Sequence, residues 1–438
     1  MFTSSNGNPS ATVEPTHSPV VPLPGDATEQ AEFPIPRFLT RQPLVDRDYR
    51  LLGYELKVNI RQPLPVLPGA TSWRQIQDEL LLVGVIDDNY RQALSRKLTL
   101  LNLHAESLDS PLLASLPREN VVLAVHPTSL DPALMARCQK LARDGFALAL
   151  DESAFSPGLT PLARQCQYLS FDVADNDLLD LCDRMVRVKG IREPRLIARN
   201  VRFEETFHAC RKLNFEVFQG YFFTELRPTE SHGIDTGRLL IMKLLNLVMN
   251  RAEYPEMEAQ FKLDAGLAYK LLRFINSPAV GLRQPITSIQ QVLMFLGHDQ
   301  LYRWLTLLLF NHEQGDGRNQ LLLRNALVRA RFMEALGEGK LPASLRGGLF
   351  IAGILSALDA LLNLPMEQAV TTLNLAPSTV NALLGRPGPH TDYLRLAMAV
   401  EQGDQHLIQQ LGSGLGVAAE EVNIAHLNAM IWSEGLDF

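Results

Sequence analysis

The chain changes its hydrophobic period once, and that change limits the folds open to it. Up to about Arg227, short apolar runs alternate with amphipathic stretches; beyond it, the periodic segments all repeat at helical spacing. Candidate strands are Leu51–Ile60, Leu98–Leu103, Val121–His126, Phe146–Asp151, Tyr168–Val173, Arg195–Ala198 and Glu216–Gln219. Between them, Trp73–Val85 and Pro132–Asp144 each carry one apolar face. Regular alternation of strand and helix builds a mainly parallel sheet, because a parallel pair needs a crossover long enough to hold a helix. Seven strands between about residues 36 and 226 fit a compact (β/α) barrel better than an open sheet.

After Arg227, helical periodicity runs through Thr236–Asn250, Glu256–Asn276, Ser288–Phe295, Asp299–Phe310, Arg318–Gly337, Leu345–Asn363 and Tyr393–Gln402. Ser288 and Gln291 have capping-box spacing, and Gly297 reads as a helix stop. The polar stretch Arg227–Gly233 contains Pro and Gly and reads as a linker. The expected fold class is α/β plus all-α, with a barrel at 36–228 and a helical domain at 229–438. Residues 1–35 hold Glu14, Asp26, Glu29 and Glu32 but no Lys or Arg, and they read as a disordered acidic tail.

Composition narrows the partners. The 438 residues are 46% apolar and 20% charged with a net charge of −7, so the chain can bury large cores. No basic excess points to nucleic acid. Cys138, Cys166, Cys182 and Cys210 show no C-x-x-C spacing and read as buried or half-buried thiols in a reducing compartment. No stretch approaches the ~20 apolar residues of a membrane span. The N-terminus lacks the basic-then-apolar order of a signal peptide, so the expected location is cytoplasmic.

Functional groups of a (β/α) barrel sit at the carboxyl ends of its strands. Those positions read Glu55, Asn102, Ala124, Asp151 and Glu152, Ser170 to Asp172, Arg199 and Gln219. Oxygen-bearing side chains from separate strands can converge on a hard cation such as Mg²⁺, or can simply be strand-terminal polar groups.

The segment FLTRQPLVDRDYRLLGYELKV resembles the opening of EAL domains, the cyclic di-GMP phosphodiesterase family. LNL around Asn102, ALALDE at 147–152, LSFD at 169–172 and LIARNVRFEETFHACRKLNFEVFQGYFF at 196–223 resemble later landmarks in the family's order. Active members hold two metal ions through carboxylates and an Asn, and use a Lys near the attacking water. The resemblance places Glu55, Asn102, Asp151, Glu152 and Gln219 at retained positions and Asp172 at the Asp of the L-K-I-D strand. It places Ala124 where a glutamate is expected, Ser170 where the lysine is, and Arg199 and Arg202 where two further glutamates are. The phosphate-holding arginine falls at Asn59. Two divalent ions bring about +4. Three missing carboxylates and two added guanidinium groups shift the shell by about five charges against them. Arg199 can instead pair with Glu55 or Asp151. No metal and no cofactor are expected, and no hydrolysis.

LAYKLLRFINSPAVGLRQPITSIQQVLMFLGHDQLYRWLTLLL at 267–309 resembles the HDOD domain, through Arg273, Asn276, Ser277, Gly281, Ser288, Gly297 and Trp304 among others. Such domains are related to HD phosphohydrolases but lack their metal ligands. Here the only His-Asp pair, His298-Asp299, sits at a helix boundary, where Asp299 fits an N-cap. The segment 349–362 has Asp359 and no His. Arg273, Asn276 and Ser277 either touch a ligand or partner, or anchor a helix exit. His312, His390, His406 and His426 have no partner at ligand spacing and read as surface or core fillers. The pairing of the two domains resembles bacterial signalling proteins. The expected function is an inactive scaffold acting through a protein partner, in cyclic di-GMP-linked control of motility or biofilm. The alternatives are a cyclic di-GMP receptor that does not hydrolyse, and a residual phosphodiesterase.

Overall fold

The computed structural model describes residues 38–59, 72–86, 97–127, 131–151, 160–175, 177–187, 194–227, 236–277, 280, 282, 284–310 and 317–436. The expected tail lies outside them, as does the expected linker Arg227–Gly233 except for Arg227.

Eight strands close a barrel in chain order: β1 (Phe38–Val45), β2 (Leu51–Asn59), β3 (Leu98–His104), β4 (Val121–His126), β5 (Ala147–Asp151), β6 (Tyr168–Asp172), β7 (Arg195–Arg199) and β8 (Val217–Gln219). From β2 to β8 neighbours are parallel, and β1 is antiparallel to both β2 and β8. The expectation of seven strands is therefore one short. The missing strand is β1, which contains Pro43 and reaches β2 through a tight turn at Asp46–Arg50 instead of a helix. A strand with Pro and no crossover gives no βα signal. Proline is tolerated there because pairing of β1 to β8 begins only at Leu44.

The helices of this half are α1 (Trp73–Ile86), α2 (Pro132–Arg143), α3 (Thr160–Ala163), α4 (Leu178–Arg187) and α5 (Glu204–Lys212). Asp131 caps α2 by accepting from the Leu134 N–H at 2.6 Å, and Pro132 fits its first turn. Inside the barrel, Leu44, Leu100, Val122, Ala149, Ile197 and Val217 form a hydrophobic core. Cys138, Cys166 and Cys210 are buried, and burial pushes their thiols up to about 11, 12 and 11.

The second half is helical: α6 (Thr236–Met249), α7 (Tyr254–Phe261), α8 (Ala265–Ile275), α9 (Ile289–Phe310), α10 (Gly317–Gly337), α11 (Ala343–Leu355), α12 (Leu358–Leu362), α13 (Met366–Ala369), α14 (Pro377–Leu383), α15 (Thr391–Gln402), α16 (Gln405–Leu415) and α17 (Ala419–Glu434). Two expected helices are each broken in two. Glu256–Asn276 divides where Asp264 caps α8 by accepting from the Leu267 N–H. Leu345–Asn363 divides at Ser356–Ala357, where Ser356 Oγ donates back to the Gly353 carbonyl. Helices α16 and α17 lie beyond the last expected helix. Inside α9, Gly297 has φ 66° and ψ 177° and breaks the helical path, as its expected stop role requires. Among the described residues no helix is long and apolar enough to cross a membrane.

Residues 36–438 form one compact unit. The reason lies in β1. A (β/α) strand normally has a helix on its outer face, but the β1–β2 hairpin brings none, and α15 and α17 pack against β1 instead. Arg41 of β1 is bonded to His426 of α17. Glu434 of α17 meets both Lys97, just before β3, at 3.1 Å and Arg324 of α10 at 2.5 Å. At a second seam Glu204 of α5 accepts from the Tyr49 hydroxyl at 2.6 Å and from Arg227 at 3.1 Å, and meets Arg318 of α10 at 3.5 Å.

Candidate functional site: the barrel mouth

Parallel strands put their carboxyl ends at one rim, so side chains distant in sequence converge there. Glu55 of β2 is fully buried at its centre. Its Oε1 accepts from Asn102 Nδ2 of β3 at 2.5 Å, and its Oε2 from Gln219 Nε2 of β8 at 2.5 Å. Arg199, the last residue of β7, reaches across the mouth. It donates from Nη2 to Glu55 Oε1 at 3.2 Å and from Nη1 to Asp151 Oδ2 at 2.8 Å. Lys57 Nζ lies 3.2 Å from Glu55 Oε2. Ser170 Oγ lies 3.5 Å from Asp151 Oδ2.

The turn after β7 holds Arg199 in place. Asn200 adopts φ 57°, a left-handed conformation that Asn tolerates better than most side chains. Its N–H donates to Gln219 Oε1 at 2.6 Å, and its Nδ2 donates to Asp172 Oδ2 at 2.7 Å. Asp172 is thereby tied to the exposed rim. Arg202 is exposed on the loop leading to α5, apart from the Glu55 cluster. Ala124 of β4 packs into the barrel core, 2% exposed. Glu152 lies outside the described residues.

Three participants carry no signal in the candidate list. Gln42 of β1 accepts from Gln219, a contact hidden because β1 was not legible as a strand. Lys57 follows Glu55 by two residues, so it shares its side of β2. His126 ends β4, and its Nε2 meets Asn102 Oδ1 at 3.0 Å. Asn102 already donates to Glu55, so its oxygen is the acceptor and the imidazole donates, an assignment inferred from the network. Burial holds His126 below the usual histidine range, and Asp151 acts weakly in the opposite sense.

Formal charge shows what this mouth accommodates. Among the described residues that ion-pair with Glu55 or Asp151, those two contribute −2 and Arg199 and Lys57 contribute +2, so this cluster sums to zero. Two divalent ions of the kind the EAL resemblance implies need carboxylates that are free to ligate. Here both carboxylates already hold cationic donors, and the guanidinium spans the gap between them. Among the described residues, this cluster does not fit a metal pair. Among the described residues there is also no group of three or more His, Cys, Asp or Glu able to hold a metal.

In the helical half, Asn276 anchors a loop. Its Nδ2 donates to the Leu272 and Ile286 carbonyls at 2.9 and 2.8 Å, and its Oδ1 accepts from the Ile286 N–H at 2.8 Å. Ser288 Oγ accepts from the Gln291 N–H at 3.2 Å, as capping requires. Trp304 is buried with its ring centroid 6.4 Å from Phe261 and 5.9 Å from Phe274. Arg273 is exposed, Ser277 is half-buried, and Gly281 lies outside the described residues. His298 contacts the Ala252 carbonyl at 3.1 Å and stacks on Tyr254. Asp359 sits behind it in sequence on α12, and burial raises its carboxyl. His390 is buried against the Leu345 carbonyl at 2.8 Å, and His426 is buried against Arg41. His312 lies outside the described residues.

Residues 239–375 match the HDOD domain family. The chain is 29% identical over 408 residues to the cyclic di-GMP phosphodiesterase CdgJ of Vibrio cholerae, covering 91% of this chain and 93% of that one. It is 26% identical to the uncharacterized protein YuxH of Bacillus subtilis, covering 91% of this chain and 98% of the other. Among solved structures, an EAL-domain protein of Listeria monocytogenes is 16% identical with a TM-score of 0.34, covering 43% of this chain and 87% of that one. The MucR phosphodiesterase in complex with cyclic di-GMP is 19% identical with a TM-score of 0.35, covering 42% of this chain and 94% of the other.

Proposed function

Starting from an HDOD domain at 239–375 and a barrel mouth that balances its own charge, we propose that this chain regulates cyclic di-GMP signalling through protein contacts, without hydrolysing the messenger. Likeness to CdgJ over 91% of the chain ties it to that signalling system. The single observation that carries the non-catalytic reading is Arg199, which bridges Glu55 and Asp151. A bridging water between two metal ions is the nucleophile in two-metal hydrolysis. A guanidinium at that position repels the ions and occupies the carboxylate oxygens that would hold them.

Incubating the full-length protein with cyclic di-GMP and Mg²⁺ or Mn²⁺, followed by chromatography, tests this. The expected result is intact cyclic dinucleotide. Metal-dependent appearance of the linear dinucleotide would overturn the reading and favour the second one, a phosphodiesterase, for which the name of CdgJ speaks. Calorimetry with cyclic di-GMP separates a receptor from a scaffold. No heat is expected, because the balanced mouth leaves little net positive charge for two phosphates. Heat that disappears in Arg199→Ala would make the chain a receptor.

A further inference from the structure

A clue to a partner lies in the helical half. Among the described residues, half of the exposed large apolar side chains fall between Leu239 and Phe295. Four of them belong to two helices packed on each other. On α8, Tyr269 is 64% and Phe274 39% exposed; on α9, Met294 is 62% and Phe295 54% exposed. The Asn276 bonds to Ile286 tie the end of α8 to the segment that leads into α9. Large apolar groups held open on a rigid face mark an interaction site.

Charge selects the occupant. Lys270 and Arg273 lie on the same exposed side of α8 as Tyr269 and Phe274, at i, i+1, i+4 and i+5. Neither makes an ion pair among the described residues. Elsewhere in the helical half many cations are paired, such as Arg303 with Glu334, Arg329 with Glu401 and Lys340 with Glu421. From Ile289 to Leu296 the first turns of α9 carry no charged residue. In a chain of net charge −7, the only charged side chains among the described residues 269–275 and 289–296 are thus Lys270 and Arg273.

We propose that this face, from α8 across the first turns of α9, docks an acidic amphipathic helix of a partner protein. The apolar stripe of such a helix covers Tyr269, Phe274, Met294 and Phe295, while its carboxylates meet Lys270 and Arg273. A lipid surface fits less well. Two cations attract an anionic leaflet only weakly, at about 1 kcal/mol each. Nucleic acid fits less well because two cations release few counterions. The inference deepens the scaffold reading and rests on it.

The test uses the full chain and fluorescent helical peptides of about 18 residues that share one apolar face, with Glu, Gln or Lys on the polar face. Anisotropy is expected to show the Glu peptide bound at least about tenfold more tightly than the Lys peptide. The double variant Lys270→Glu/Arg273→Glu is expected to reverse that order, and Phe295→Ser to weaken every peptide, both with an unchanged melting temperature. Parallel arms use phosphatidylglycerol-containing vesicles and a single-stranded oligonucleotide. Equal binding of the three peptides, no binding of any, retention of the order in the charge-reversed variant, or tighter binding of vesicles or oligonucleotide would each overturn the proposal. Hydrolysis of cyclic di-GMP would strike the barrel reading alone, whereas peptide indifference would strike this surface alone.

Discussion

At the scale of residues, the mouth is governed by desolvation. Glu55 is fully buried and accepts from Asn102, Gln219 and Arg199, with Lys57 nearby. Burying a carboxylate is costly unless such partners are present. Arg199→Ala leaves two carboxylates facing each other across an empty gap. We expect a loss of about 3 kcal/mol, the low end for a broken buried pair, because the Arg199 side chain stays 14% exposed and Glu55 keeps Lys57. The midpoint of urea unfolding measures it, and an unchanged midpoint would show that the bridge adds nothing. The buried pair Arg329–Glu401 is a second instance, bidentate at 2.7 Å on both oxygens. Glu401→Ala is expected to cost about 3–5 kcal/mol by the same measurement, since it strands a guanidinium in the core.

At the scale of elements, two glycines set helix geometry for different reasons. A Cβ at Gly353 of α11 would lie 2.4 Å from the Ala330 Cα of α10, so the two helices would have to separate. At Gly297 there is space for a Cβ, but φ 66° with ψ 177° is a region that other residues avoid. Gly297→Ala is expected to cost about 1–3 kcal/mol through backbone strain alone. Thermal unfolding checks it; a neutral outcome would mean that α9 straightens without penalty. The same elements show what a sequence discloses. Strands β2 to β8 were legible because each is a short apolar run, and all but β3 and β8 lead into a helix of the barrel. Strand β1 was not, since a Pro-containing antiparallel strand without a crossover breaks the pattern. The divisions at Asp264 and Ser356 were hidden because helical periodicity continues across both caps. At the site, Arg199 was visible as a cation where the resemblance expects a carboxylate. Its double contact was not, because pairing with Asp151 and Glu55 depends on the turn at Asn200.

At the scale of the whole molecule, the barrel and the helices share one unusual burial, the outer face of β1. The joint contains His426, which is buried and bonded to Arg41, with Glu401 and Arg324 lining the same small cavity. Burial first, and the Arg41 charge second, hold His426 well below the ordinary 6.5. In the unfolded chain this imidazole takes up a proton near 6.5, while in the folded chain it does not until lower pH. The unfolded state therefore binds more protons in between, and stability falls as the medium is acidified below about 6.5, by at most ~1.4 kcal/mol per pH unit from this group. His126 and His390 are lowered by burial too and act in the same direction. The comparison that isolates the joint is His426→Asn, whose stability is expected to depend less steeply on pH than that of the unaltered chain. An identical pH slope would remove His426 from the account.

The guanidinium across the barrel mouth is the claim on which the functional reading turns, and binding of a paramagnetic ion probes it without any assay of turnover. Mn²⁺ titrated against the full-length protein is followed by the electron paramagnetic resonance of the free ion. The free-ion signal is expected to be no smaller than in buffer, and the same when cyclic di-GMP is present. Loss of signal equivalent to two ions per chain, abolished in Glu55→Gln and Asp151→Asn, would contradict it.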